Sequence, residues 1–423
     1  MLIKLSPERL KSARLALLAI FFVQGIAAIT TLPRIPELID QIDVDFLAWG
    51  AIIGFSGIGS FLALAFTNKI VDRFGNTPVM KLCTILVVLV IGSQGFITNA
   101  GLFFAVLFVQ SFVYSMFNIA LNAQAVKLQK RLGKIMLGSL HGAWSIGAAV
   151  SAALSGWLAT FVPLWQHLII VPVACGVAFL VATRYLLTNA EEGHSKETTN
   201  SKPVSWLETP GYLWLLAVGL FAGMWPELVM MDWSAVFSRD VLGLDPARGA
   251  IPYTVFTTAM IIGRFGSSWV TKRMHFSAMS AWGGIIGSIF MAAGVIFAAT
   301  FAETNVDLAL ALQVACYAVA GLGVASMVPS FYSAGGETRG LSTAQALSRM
   351  SFANAVFVML AKAFMGGLAD GVGLVNAMIF PLVSFFIAGL ISAYVAKNAK
   401  RIKAQQLEAF PPTGPVSVLV DEK

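Results

Sequence analysis

Residues 136–187 read MLGSLHGAWSIGAAVSAALSGWLATFVPLWQHLIIVPVACGVAFLVATRYLL. A spanning helix needs roughly twenty apolar residues, so this nearly uncharged stretch is too long for one crossing. Pro163, between Phe161 and Trp165, marks a hairpin between two crossings. Outward from it the same pattern recurs, at residues 13–32, 47–66, 77–97 and 102–123 before it. After it come 212–237, 251–271, 277–301, 306–327, 342–365 and 374–396, twelve apolar segments in all. With a mean hydropathy of +0.79 and only 12% charged residues, little chain is left for anything else. The predicted fold class is an all-α membrane protein of twelve transmembrane helices. Its function must lie in the few polar residues inside them.

The net charge of +7 could suggest nucleic acid, but its placement points elsewhere. With twelve spans and the N-terminus inside, the cytoplasmic segments hold 24 of the 28 Lys and Arg, among them Lys4, Arg9, Lys11, Lys127, Lys130, Arg131, Lys134, Lys397, Lys400, Arg401 and Lys403. The opposite side keeps Arg34, Arg239, Arg248 and Lys362 and carries Glu37, Asp40, Asp43 and Asp45. This asymmetry is the positive-inside pattern and predicts both termini in the cytoplasm. Cys83, Cys175 and Cys316 lie far apart inside apolar helices and read as core residues, not as a disulfide set or a metal site. His141, His167, His194 and His275 have no ligand-like spacing. The first segment is a full span without a small-residue cleavage site, so it reads as a helix and not as a removed signal.

Short connections make sequential helices antiparallel neighbours. The one composition break is 188–208, where AEEGHSKETTNSKP turns polar. The expected organisation is a six-helix bundle over 1–187, a cytoplasmic linker over 188–210, a second bundle over 211–396 and a disordered cytoplasmic tail over 397–423, with Pro411, Pro412 and Pro415 in it. A weak repeat supports the halving: 68–75, NKIVDRFG, closes the second helix of the first half, as 268–275, SWVTKRMH, does in the second. Two parallel six-helix repeats about an axis along the membrane normal are a transporter architecture, with its site at the midplane.

Asp72-Arg73-Phe74-Gly75 resembles the loop signature of the major facilitator superfamily, although Asn68 stands where that signature usually has glycine. The resemblance covers the whole helical region and implies two six-helix bundles, with Asp72 and Arg73 helping to latch them on the cytoplasmic side. Asn118-Ile-Ala-Leu-Asn122-Ala-Gln124, His141-Gly-Ala-Trp144-Ser145 and Asp232-Trp233-Ser234 resemble the fucose-permease-like branch, which implies a sugar-like solute. Two features depart from drug antiporters: residues 102–125 contain no basic residue, with Gln110 the nearest polar one, and the fifth span lacks a glycine-proline pair. It reads instead Gly147-Ala-Ala-Val-Ser151-Ala-Ala-Leu-Ser155-Gly156, small residues suited to close packing.

Ionisable groups inside a membrane are costly, so each is a functional candidate. Glu227 follows Pro226 deep in the seventh span, and shares a stripe with Met230, Met231 and Ser234. Apolar surroundings favour the neutral form of a carboxylate, the chemistry a proton-coupling group needs; the structural alternative is an interhelical salt bridge. Pro226 removes a backbone donor and is a candidate hinge. Asp232 lies about 140° round the helix from Glu227 and is read as a gating or structural partner of Arg239. Asn118 and Asn122 share one face, as do His141, Trp144 and Ser145 on the next helix. Amides beside an aromatic suit a sugar-like solute, whereas the plain alternative is that they tie the two helices together. His141 is also a candidate for proton coupling. Gln24, Tyr317 and Asn354 are further cavity candidates. Arg34 stands at the outer mouth, to draw in an anion or to pair with Glu37 or Asp40, while Arg264 and Arg349 are read as reaching headgroups or latching with Glu337.

These residues predict a secondary transporter moving a small polar solute, a sugar or sugar-like metabolite, by proton symport and alternating access. The expected setting is the cell inner membrane, as a monomer, with no cofactor, no metal and no nucleic acid. The alternative is a proton-coupled exporter of an amphipathic compound. A non-transporting sensor ranks lower, because neither linker nor tail holds an output domain. An enzyme is excluded on the residues: there is no phosphate-binding loop, and His141 has no matched nucleophile or acid in sequence.

Overall fold

The computed structural model describes residues 5–133, 136–188, 191, 205–338 and 341–409. Lys4, Lys134, His194 with most of the expected linker (192–204), and the tail prolines Pro411, Pro412 and Pro415 lie outside the described residues. Most of those described are helical, and no strand occurs among them.

The first half comprises α1 (Pro7–Ile29), α2 (Ile35–Ile42), α3 (Phe46–Phe55), α4 (Ile58–Phe74), α5 (Asn76–Gln94), α6 (Ala100–Leu132), α7 (Leu137–Leu158) and α8 (Leu164–Thr183). The second comprises α9 (Gly211–Asp240), α10 (Pro246–Gly249), α11 (Ile251–Val270), α12 (Phe276–Phe301), α13 (Val306–Val324), α14 (Met327–Gly336), α15 (Thr343–Val372), α16 (Leu374–Ala377) and α17 (Ile379–Ala409). Polar caps start these helices. Ser6 accepts from Arg9 N with Pro7 at the first position, Asn99 from Leu102 N, and Ser342 forms a capping box with Gln345. Gly75 ends α4 with φ of 86°, a left-handed conformation that explains glycine at the close of the Asp72–Gly75 turn.

Among the described residues ten helical segments are long and apolar enough to cross a bilayer. Two of the twelve expected segments, α7 and α11, are helices but are not in that set. Their Gly, Ser and Thr residues dilute hydropathy, and both pack along other helices, α7 on α1 and α11 on α13. The last helix runs to Ala409, past the end expected at Ala396. Residues 397–409, KNAKRIKAQQLEA, are good helix formers with no Gly or Pro to stop them.

Small residues bring α1 and α7 into backbone contact. A Cβ added at Gly25 would meet Trp144 O at 2.1 Å, and one at Gly147 would meet Phe22 O at 2.0 Å. Ser151 Oγ donates to Ile26 O at 2.8 Å in the same seam. Further along, Thr30 Oγ1 contacts both Ser155 Oγ (3.1 Å) and His167 Nε2 (2.9 Å). Arg34, 1% exposed, donates to His167 Nδ1, Glu37 Oε1 and the Ala159 and Val162 carbonyls. It is a structural staple of the mouth and has little left for an incoming anion.

Contacts between the two halves gather at the end that the charge pattern predicts to be outside. There α3 lies against α15 at Gly50 and Gly366, Gly156 approaches Ala250, Phe46 meets Trp233 edge-on at 5.6 Å, and Arg239 pairs with Asp40 at 2.7 Å. Nearer the other end, Phe265 packs over Gly142 and Phe61 meets Phe352 at 5.8 Å.

Beyond α8, Glu191 is gripped in a fork by Arg9, with Nε–Oε1 2.9 Å and Nη2–Oε2 2.7 Å. The same guanidinium donates to the Tyr185 and Leu186 carbonyls at 2.6 Å each. Hydrogen bonds from Arg9 hold the Glu191 carboxyl down at about 2. Glu191→Gln is expected to cost about 1–2 kcal/mol at neutral pH. A folded-state value below the unfolded one means that this contribution is complete above about pH 4.5 and fades as pH falls towards 2. Thermal unfolding in detergent at neutral pH and near pH 3 checks it: the gap between wild type and variant must narrow in acid.

Candidate solute site

In the first half, α1, α6 and α7 converge on one polar cluster. Gln24, 2% exposed, donates Nε2 to Asn118 Oδ1 at 2.6 Å. The Asn118 amide nitrogen turns back to Tyr114 O (3.0 Å), and that of Asn122 to Asn118 O (2.9 Å), each four residues earlier on its own helix. The Tyr114 hydroxyl lies beside Trp144 and Gln24, buried, with no aligned hydrogen-bond partner among the described residues. A buried hydroxyl without a partner costs about 1–3 kcal/mol, and a bound polar group would remove that cost. Ser145 bonds the His141 carbonyl at 3.0 Å and so belongs to its own helix.

In the second half, Glu227 on α9 pairs with Arg264 on α11, Oε2–Nη2 3.2 Å, with side-chain exposures of 18% and 35%. The salt bridge weighed for Glu227 is therefore present, and its partner is a residue that sequence reasoning placed at the headgroups. Arg264 turns inward because α11 packs towards α9 and α7, where a carboxylate offers more than lipid does. Arg349 is likewise inside, 5% exposed, bonded to Thr209 Oγ1 and stacked over Trp206. Tyr253 is buried within electrostatic reach of Glu227, Asp232 and Arg264. His141, on α7, meets Phe21 edge-on at 5.4 Å and is within electrostatic reach of Arg264, so the two halves face each other there. Asn354 on α15 is 8% exposed, and its Oδ1 has no partner among the described residues. It lies one turn from Phe357, which packs on Phe221 of α9.

Other candidates go elsewhere. Asp232 is held by Lys362, Oδ2–Nζ 2.8 Å, an ion pair by distance although the approach is not aligned for a hydrogen bond. The expected Asp232–Arg239 pairing does not form. Arg239 sits about two turns on, roughly 10 Å along the axis, and bonds Asp40 and Asp240 instead. Tyr317 packs its ring against Gly294 in the α12–α13 interface, with its hydroxyl 3.5 Å from Gln313 Nε2. α9 is continuous through Pro226, which is buried. Asp72 and Arg73 are exposed at the end of α4, Arg73 over the Phe74 ring. Sequence reasoning passed over Tyr114 and sent Arg264 to the headgroups, although a lone cation inside Ile-Ile-Gly-Arg-Phe was a readable signal for an inward role.

Two helical halves thus surround polar groups that converge from both. A profile of the Major Facilitator Superfamily matches residues 17–340. The chain belongs to the Major Facilitator Superfamily. It is 25% identical to the uncharacterized transporter y4wD of Sinorhizobium fredii, over 90% of this chain and 96% of that one. The solved structure of a bacterial homolog of the human lysosomal transporter Spinster, inward-facing and unoccupied, matches with a TM-score of 0.71 at 14% identity. That match covers 94% of this chain and 98% of the homolog. The nucleoside transporter NupG matches with a TM-score of 0.65 at 14% identity, over 92% and 99%. This superfamily member is thus a multi-pass membrane transporter and not an enzyme.

Proposed function

We propose that the protein carries a small polar solute, sugar-like in its hydroxyls, across the bacterial inner membrane by proton symport. The bundles 1–187 and 211–396 would alternate access around the site, with Asp72 and Arg73 acting at the far gate. The observation that supports the solute class is the Gln24–Asn118 amide pair beside Trp144 and the buried Tyr114 hydroxyl. Amide and phenol offer both donors and acceptors, and an indole offers a face for the apolar side of a sugar ring. The fucose-permease-like resemblance points the same way. Proton coupling is assigned to Glu227, because neutralising it dissolves the only bond that Arg264 makes through its side chain among the described residues.

The test is thermal unfolding of the purified protein across sugars, sugar acids, polyols, amino acids and amphipathic cations. A polyhydroxylated solute should stabilise the wild type, and Gln24→Leu should weaken that solute about tenfold, the loss of one or two neutral hydrogen bonds. Stabilisation by amphipathic compounds alone would replace this reading with export.

A further inference from the structure

Arg264 is bonded on one side only. Of its guanidinium donors, Nη2 reaches Glu227, while Nε and Nη1 have no partner among the described residues, and a third of the side chain is exposed. The free edge is exposed and so open to an incoming acceptor. Opposite stands His141, whose ring nitrogens likewise have no partner among the described residues. His141 is solvent-accessible yet crowded by protein, and its neighbours Phe21 and Arg264 belong to different halves. These neighbours place His141 where the two halves face each other.

We infer that the transported solute is a polyhydroxylated monocarboxylate, a sugar acid, whose carboxylate binds the free edge of Arg264 with His141 as second donor. This rests on the polar-solute reading above and names its class. The hydroxyls would fall to Gln24, Asn118 and Tyr114. A guanidinium fork matches a carboxylate in geometry. A dianionic phosphate fits less well, because with one cation at the site it would leave a negative charge uncompensated.

The same arrangement explains the coupling. In the empty site Glu227 and Arg264 neutralise each other. A proton taken by Glu227 from the aqueous phase releases Arg264, and the solute carboxylate takes the vacated charge. One proton and one monoanion enter together, so the empty and the loaded site carry the same net charge. Arg264 on α11 bonds Glu227, and Tyr253 on α11 is within electrostatic reach of Glu227, Asp232 and Arg264; Lys362 on α15 holds Asp232, and His141 on α7 is within reach of Arg264. Asp232 already has its cation, which leaves Glu227 as the carboxylate that competes with the solute.

The experiment measures thermal stabilisation and affinity of the full chain for hexonates and hexuronates of gluco, galacto and manno configuration, each beside its neutral sugar or polyol, with inorganic phosphate as a further probe. At least one acid should bind, and its neutral counterpart should not. Affinity should fall about tenfold per pH unit once Glu227 is ionised, as one-proton linkage requires. Arg264→Gln should weaken the acid about 10- to 100-fold, the scale of a charge-assisted pair, and His141→Gln about fivefold. Glu227→Gln should bind it independently of pH. In proteoliposomes, uptake should follow a pH gradient and ignore an imposed membrane potential.

The inference is overturned if a neutral sugar binds while every acid fails, if binding does not depend on pH, or if uptake responds to the potential. Phosphate binding in preference to the acids overturns it too. In each of these cases the broader polar-solute reading can survive. If no polar solute stabilises the protein and amphipathic compounds do, both fall together. Should Arg264→Gln not fold, Arg264→Lys, His141→Gln and the pH dependence decide.

Discussion

Glu227→Gln is expected to reduce uphill accumulation driven by a pH gradient to a ratio of about one, while exchange of labelled for unlabelled solute continues within about threefold of wild type. The physical basis is that glutamine keeps the shape and an acceptor for Arg264 Nη2 but cannot take or release a proton. A carrier fixed in the neutral form still binds and still shuttles when loaded on both sides. It cannot, however, couple solute to the gradient. The stability cost should be modest: a fully buried pair broken on one side costs about 3–5 kcal/mol and an exposed one under about 1. With Arg264 a third exposed, about 1–2 kcal/mol is the expected range. Counterflow and gradient-driven uptake in the same proteoliposomes separate the two effects. Undiminished accumulation in the variant would make the pair a structural tie and move coupling elsewhere, with His141 the first alternative.

Much of the architecture is legible in the chain because a bilayer leaves few options. Backbone groups in lipid must be satisfied within helices, so apolar lengths and Pro163 translate into crossings and a hairpin. The small-residue run from Gly147 to Gly156 also reads correctly as a packing surface, and α1 does lie against it. Hydropathy is a weaker guide where helices are sheltered by other helices, as α7 and α11 show. Around each helix, legibility fades. Sequence places a residue at a depth but does not fix which way it faces, so Glu227 stands out while its partner Arg264, 37 positions on, does not. Tyr317 has a plausible depth, yet faces Gly294. Asp232 and Arg239 lie on the same helix at a suggestive spacing, but each finds its cation or anion on another element: Lys362 on α15 for the one, Asp40 on α2 for the other. Short-range spacing loses to tertiary packing wherever a longer-range partner is already held in place.

Gly50→Val and Gly366→Val are each expected to open the end at which the halves now meet. A Cβ at Gly50 would lie 2.6 Å from the Cα of Gly366 and 2.8 Å from Lys362 O, and one at Gly366 would lie 2.4 Å from Phe46 O. All of these are backbone atoms, so no side chain can swing aside and α3 must separate from α15. Overpacking of this kind costs about 1–3 kcal/mol. In a conformation where the two helices are apart, the cost disappears. The penalty therefore falls on one state, and an energy of that size shifts a two-state equilibrium about 5- to 150-fold. Ser234 is the reporter: it is 5% exposed and lines a small cavity between the halves at the same end, with Pro33, Ala250 and Tyr253. The native cysteines are buried and contribute little background. A Ser234→Cys protein should react with a membrane-impermeant maleimide at least about tenfold faster in either glycine variant. Gly371→Val is the control, because its Cβ would meet nothing within 4 Å. Faster labelling with a folded protein would identify the glycine contact as the outer gate, whose closure the transport cycle must break. Unchanged labelling with lowered thermal stability would instead mean that α3 and α15 stay joined throughout the cycle, and that the halves part along α7 and α11, where Gly156 meets Ala250.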